Sequence, residues 1–372
     1  MSPENVLIVA KGFPPDDGGI ETYSYNVAKA FEELGHCVHV VTSVRRPSGA
    51  PRNQFHWFKA VRQRAQILTA FSMMRVCIAL KRSGYCPDLI HATSWRVAAI
   101  SQFLWLRTPI VVTVHGKEVF GLSSLIRRLA EFVLARAQTI VFVSDAIRQR
   151  FLSEFPSFTE ANTIVSWNGC TDFGDVSDLP AKEPNAIFTV CRLVERKNLH
   201  LALEAVSLID HDKYPFKYRL AGTGPLAASL KAKAHALGLD DRFEMLGFVP
   251  DDEIAREYSR ASIFLHPQIE ADGGTDIEGF GIVLADAMRF GAVPIAGDNG
   301  GPRDFIHHGE NGYLVEGDSA EELADILTRA LTDLNKSGEL RSATKEFAQS
   351  FFTWERHVNK IKTASGLWIR EM

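Results

Sequence analysis

The chain has no uncharged apolar run of about 18 residues, the minimum for a membrane-spanning helix. It also has no basic leader with a cleavage site. The opening MSPENVLIVAKGF has only a short apolar stretch and reads as a first β-strand, not a signal peptide. Cysteine is scarce. Cys37, Cys77, Cys86, Cys170 and Cys191 are odd in number, scattered and without a C-x-x-C pair. A disulfide scaffold or zinc site is therefore not expected, and reduced thiols favour a cytoplasmic location. Short-period repeats, low-complexity tracts and coiled-coil heptads are also missing. Acidic residues are absent between Glu33 and Asp88, where Arg45, Arg46, Arg52, Lys59, Arg62, Arg64, Arg75, Lys81 and Arg82 stand among aromatic and aliphatic residues. Such a stretch suits either an anionic membrane surface or a solvated face beside a core helix.

What is present is the composition of a globular protein, 46% hydrophobic and 23% charged over 372 residues, enough for two domains. Charge divides unevenly: residues 1–180 hold 19 Lys and Arg against 15 Asp and Glu, and the remainder holds 22 against 30. Strand-like runs at 6–10, 38–42, 89–91, 110–114 and 139–143 alternate with helical ones, including 20–34 and 145–151. This is a βαβ series. Acidic, proline-containing sequence at 172–185 reads as an interdomain linker. The pattern then restarts, with strands at 186–191, 218–221, 263–266, 293–296 and 313–315 and helices at 199–208 and 227–237. The expectation is two doubly wound α/β domains, 1–175 (with about 355–372) and 176–354, binding ligand at the carboxyl ends of their strands.

Four segments carry chemistry. Gly18 and Gly19 sit between a strand and a helix, where glycine lets a ligand approach backbone amides; a turn without a ligand is equally consistent. Arg192 and Lys197 lie at a strand–helix junction, where two cations can hold a diphosphate or simply face solvent. In Ala221-Gly222-Thr223-Gly224-Pro225 the glycines allow close approach, but the distal acid of a dinucleotide fingerprint is missing. The most informative segment is GGTDIEGFGIVLAD, residues 273–286. Glycines frame Glu278, a helix starts near Gly281 whose first amides can hold a diphosphate, and Asp286 stands in an apolar helix.

Together with VTVHGKE, VFVSDAIRQRF, WNGCTD, VCRLVERKN, LAGTGP, LGFVP and EGFGIVLADAMRFGAVPIAG, these segments resemble glycosyltransferase family 4, retaining enzymes of the GT-B fold, over nearly the whole chain. The EGFGIV segment is most similar to phosphatidylinositol mannosyltransferase-like enzymes. The resemblance implies two Rossmann-like domains facing across a cleft, with the C-terminal helix crossing back to the N-terminal domain. It implies that His115 contacts the transferred sugar, Arg192 and Lys197 bind the diphosphate, and Glu278 holds the sugar hydroxyls. Donor contacts would come from Gly18, Gly19, Gly222, Gly224, Phe248, Gly279, Phe280, Gly281, Ile282 and Val283. Asp286 stands where the family has a second Glu and would accept the ribose hydroxyls with a shorter reach.

The adjacent acidic pairs Asp16-Asp17, Asp240-Asp241 and Asp251-Asp252 lack Asp-x-Asp spacing, so neither metal nor cofactor is expected. The expected reaction is hexose transfer from a nucleotide sugar to a glycan, glycolipid or polysaccharide precursor. GDP-mannose leads, with UDP-glucose or UDP-N-acetylglucosamine next. No nucleic-acid partner is expected, and the basic N-terminal domain could meet the inner face of an anionic membrane. Two alternatives remain: a nucleotide-sugar epimerase of the same architecture, and a non-catalytic nucleotide-sugar-binding subunit.

Overall fold

The computed structural model describes residues 4–16, 18–44, 55–62 and 66–366. The chain divides into unit 1, Met1–Gly169 with Thr353–Met372, and unit 2, Cys170–Phe352.

Unit 1 is built on a parallel sheet whose strands are β1 Asn5–Ala10, β2 Cys37–Thr42, β3 His56–Lys59, β4 Leu89–Ala92, β5 Ile110–Val114, β6 Thr139–Phe142 and β7 Thr163–Val165. Their order is β3-β2-β1-β4-β5-β6-β7. The central strands are buried throughout, as expected of apolar runs covered by helices on both faces. The helices are α1 Gly19–Glu33, α2 Gln66–Arg82, α3 Trp95–Ser101, α4 Ser124–Leu134 and α5 Asp145–Glu154. Edge strand β3, HWFK, was not expected. Its exposed ends give no apolar run.

Unit 2 repeats the plan with β8 Ala186–Val190, β9 Lys217–Ala221, β10 Phe243–Gly247, β11 Ile263–His266, β12 Val293–Gly297 and β13 Tyr313–Val315, in the order β10-β9-β8-β11-β12-β13. Its helices are α6 Leu199–Ser207, α7 Ala227–Ala236, α8 Asp251–Arg260, α9 Ile282–Arg289, α10 Ala320–Lys336 and α11 Glu339–Phe351. In each sheet the order reverses beside the first strand, between β1 and β4 and between β8 and β11. These are the topological switch points where such folds bind ligands.

The last helix, α12 Trp354–Ala364, belongs to unit 1 and packs on α1, with Val358 and Ile361 in the unit 1 core. The segment at 172–185, read from sequence as a linker, is part of unit 2. Lys182 Nζ donates to the carbonyls of Tyr258 (3.1 Å) and Ala261 (2.6 Å), and Ser259 Oγ donates to that of Pro180. The basic stretch is likewise only partly a surface: Phe55, Met73 and Cys77 are buried, whereas Ile67, Leu68 and Phe71 are exposed. Arg45, Arg46, Arg52 and Arg64 lie outside the described residues, as does Asp17. Among the described residues no helix is long and apolar enough to cross a membrane.

Candidate active site

In unit 2 the carboxyl ends of β8 and β11 bring four ionisable groups together. Arg196 and Lys197 lie in the turn after β8, His266 ends β11, and Glu278 lies in the loop before α9. Glu278 Oε2 accepts from Arg196 (2.9 Å) and Lys197 and lies 3.2 Å from His266 Nε2. Arg196 also pairs with Asp276 at 3.3 Å. Burial alone would raise the pKa of Glu278. Lys197, His266 and Arg196 overcome that and hold it well below the ordinary carboxylate range. Burial and the Lys197 charge push His266 down to about 4. His266 Nε2 lies 3.0 Å from Lys197 Nζ as well, so one ring nitrogen faces both the ammonium and the carboxylate.

Glu278 and Lys197 are thus neighbours. Arg196 and His266 were missed. A cation inside Glu195-Arg196-Lys197 reads as surface charge, and a His at the end of a buried strand reads as core. Arg192 is exposed on the same turn and stands apart from this ion-paired cluster.

The donor segment subdivides. α9 begins after Gly281, whose φ of +86° favours glycine, and the first-turn amides at Ile282 and Val283 have no intrahelical acceptor. Gly279 lies in the same loop. The Phe280 ring is buried against Phe305 (5.1 Å) and Phe352 (5.6 Å), so only its backbone can face a ligand. Phe248 is exposed just beyond β10. Gly222 and Gly224 serve close approach to the chain itself. A side chain on either would overlap the carbonyls of Cys191 or Leu193 in the Arg192 turn.

Asp286 is only 3% exposed, and both its oxygens are engaged. The Thr171 amide donates to Oδ1 at 2.6 Å and Thr171 Oγ1 to Oδ2 at 2.7 Å. Here the acid ties the start of unit 2 to α9, and a ribose would have to compete with Thr171 for both oxygens. One Asp-x-Asp pair does occur in the sequence, Asp210 and Asp212. It forms a turn after α6, with Asp210 Oδ1 accepting from the amides of Asp212 and Lys213. That turn is at the opposite end of the sheet from Glu278.

In unit 1, Gly18 and Gly19 open α1. The Glu21 carboxylate folds back against Gly12 and Gly18, whereas nothing described lies within 4 Å of a Cβ at Gly19. His115 follows β5. Its amide donates to Glu118 Oε1 (2.6 Å) and its Nε2 lies 3.1 Å from the Thr93 carbonyl. Burial lowers its pKa against the opposing pull of Glu118 and Thr93. The Tyr23 ring meets the His115 ring edge-on at 4.7 Å. Behind it, Tyr23 Oη is within 2.7 Å of Thr113 Oγ1, 2.9 Å of His357 Nε2 and 3.2 Å of His91 Nε2. Burial holds His91 down to about 3 and His357 to about 4.

Two family models match consecutive parts of the chain: Glycosyltransferase Family 4 over residues 17–170, and Glycosyl transferases group 1 over 175–350. The chain belongs to the family 4 glycosyltransferases. Over 96% of both chains it is 26% identical to the GDP-mannose-dependent alpha-(1-6)-phosphatidylinositol monomannoside mannosyltransferase of Mycobacterium tuberculosis. It is 32% identical to the putative colanic acid biosynthesis glycosyltransferase WcaL of Escherichia coli, over 60% of this chain and 55% of that one. Its fold matches a glycosyltransferase from Rickettsia africae at TM-score 0.81 (19% identity, all of both chains). It matches Anabaena HepE, solved with UDP and glucose, at 0.75 (20% identity, 97% and 98%). This family 4 enzyme therefore has the GT-B fold of two Rossmann-like halves.

Proposed function

We propose that this glycosyltransferase transfers mannose from GDP-mannose, with retention of configuration and without a metal, to a glycolipid or lipid-linked polysaccharide precursor. The observation that carries the reading is the buried cluster of Glu278, Arg196 and Lys197 beside the α9 N-terminus. In the reaction the bond from the sugar anomeric carbon to phosphate oxygen breaks, leaving positive charge on the sugar and negative charge on the departing diphosphate. Lys197 and the α9 amides are fixed donors for that negative charge, and exposed Arg192 on the same turn adds a second cation. Glu278 is held ionised, as a group facing a developing positive charge must be. The acceptor hydroxyl attacks the same face and passes its proton to the leaving phosphate. His115 meets the transferred sugar in its neutral form. The mannose donor is supported by the full-length relative named above.

A thermal-shift series with GDP-, UDP-, ADP- and dTDP-sugars tests the donor, since a ligand that binds the native state raises Tm. The largest shift should come with GDP-mannose, and a larger one with a UDP-sugar overturns that choice. GDP release that depends on added acceptor marks transfer; conversion of the donor sugar without acceptor marks an epimerase.

Unit 1 supports a cytoplasmic, peripheral membrane setting for a lipid acceptor. α3 packs against α2 and α4. Ile67 and Phe71 on α2, Leu106 after α3, and Leu125 (77%) and Phe132 on α4 are exposed apolar side chains. Arg75, Arg107 and Arg128 are exposed on the same three segments. Binding to anionic vesicles should weaken with salt and with Phe71→Ser. Equal binding to neutral vesicles counts against this setting.

A further inference from the structure

β2 and its edge neighbour β3 start with donor groups that the glycosyl-transfer site does not use. Cys37 opens β2, His39 follows two residues later, and His56 opens β3 directly opposite His39 in the parallel register. Alternation puts Cys37 and His39 on one face, while Val38 and Val40 fill the core on the other. His56 stacks on His39 with ring centroids 4.4 Å apart and planes 26° apart. The Cys37 thiol lies 3.9 Å from His39 Nδ1. One ligand atom from each of the three falls within 4.8 Å of the others. On its other side His39 meets the Tyr85 ring at 4.1 Å, and the Tyr85 hydroxyl is buried without a hydrogen-bond partner.

We propose that Cys37, His39 and His56 form a binding site for a zinc-class divalent ion. One thiolate and two imidazoles are the borderline-soft donor set that selects such ions over magnesium or calcium. A tetrahedral ion at ordinary bond lengths needs its nitrogen ligands about 3.3 Å apart and nitrogen and sulfur about 3.6 Å apart. The Cys37–His39 separation of 3.9 Å is already close to this, and binding would turn the His56 ring out of its stack on His39 so that both imidazoles face the ion. Three protein ligands leave a fourth position open. The site is at the amino ends of β2 and β3, opposite the end of the sheet where His115 follows β5. The ion would therefore clasp the edge strand to the sheet and take no part in sugar transfer.

The test titrates the full-length, reduced, chelator-treated chain with Co²⁺ and then displaces it with Zn²⁺. One equivalent of Co²⁺ should produce a thiolate-to-cobalt charge-transfer band, and Zn²⁺ should abolish it and raise the first unfolding transition by about 5 °C at saturation. Cys37→Ser should remove the band. His56→Ala, at an exposed position, should weaken zinc binding by on the order of tenfold or more, since losing a ligand costs at least as much as losing a second-shell partner. Cys86→Ser, the neighbouring exposed thiol, should leave both unchanged. Circular dichroism confirms that the variants fold. No band in the parent chain, a band that survives Cys37→Ser, or one that disappears with Cys86→Ser overturns the proposal.

Discussion

The buried polar groups behind His115 in unit 1 are neutral, whereas Glu278 in unit 2 is held between the charges of Arg196 and Lys197. Both lie on sheets with the same reversal of strand order. The neutral network joins Tyr23 on α1, His91 on β4, Thr113 on β5 and His357 on α12, and it depends on hydrogen bonds in a dry interior. The charged cluster joins two loops and depends on mutual compensation: each ion is tolerable only because the others are there. One architecture thus supports a polar site in two ways, and the two should fail under different conditions.

The largest effect expected is on turnover in unit 2. Lys197→Ala removes a fixed positive charge from the leaving-group side, and kcat should fall roughly 10²–10³-fold. Near-normal turnover in a folded variant would remove Lys197 from the mechanism. Glu278→Gln should cost about 10²-fold in transfer while nucleotide still raises Tm; retained transfer would contradict its role.

Acid tests the neutral network next. His91 and His357 titrate at about 3 and about 4 in the fold, below the ordinary histidine value of 6.5. Between those values the unfolded chain binds more protons than the native one. The stability they contribute is complete above about pH 6.5 and is lost as pH falls towards 4, at about 1.4 kcal/mol per pH unit for each residue. Calorimetry from pH 7 to 5 should show this loss, and His357→Gln should flatten it. An unchanged slope would mean that His357 takes up its proton as readily in the fold as in the unfolded chain.

The smallest effect concerns Asp286. Asp286→Asn weakens two hydrogen bonds to Thr171 and should cost about 1–2 kcal/mol of stability, leaving the KM for donor near its parent value. A large rise in KM with unchanged Tm would restore the ribose role and break the comparison at that point.

The central strands were legible because burial on both faces leaves continuous apolar runs, as in Ile110–Val114. The edge strands β3, β7 and β10 were not, since HWFK, TIV and FEMLG are half-covered or too short to show a pattern. Glu278 and Lys197 stood out through a glycine frame and a strand–helix junction. His266 and Arg196 became visible only when β11 was placed beside β8. No local signal could have joined Tyr23 to His357, which are 334 residues apart. Asp286 was rightly conspicuous as a buried acid, but its partner Thr171 is 115 residues away in sequence.

The position of α12 has a consequence for synthesis. Unit 2 is one continuous stretch, Cys170–Phe352, and all of it is synthesised before His357. Unit 1 begins the chain, yet the Tyr23 hydroxyl and the Trp167 carbonyl wait for His357, and the groove on α1 waits for Val358 and Ile361. The half of the protein that is translated first is therefore the half that is finished last, with its apolar α1 face uncovered throughout the making of the other.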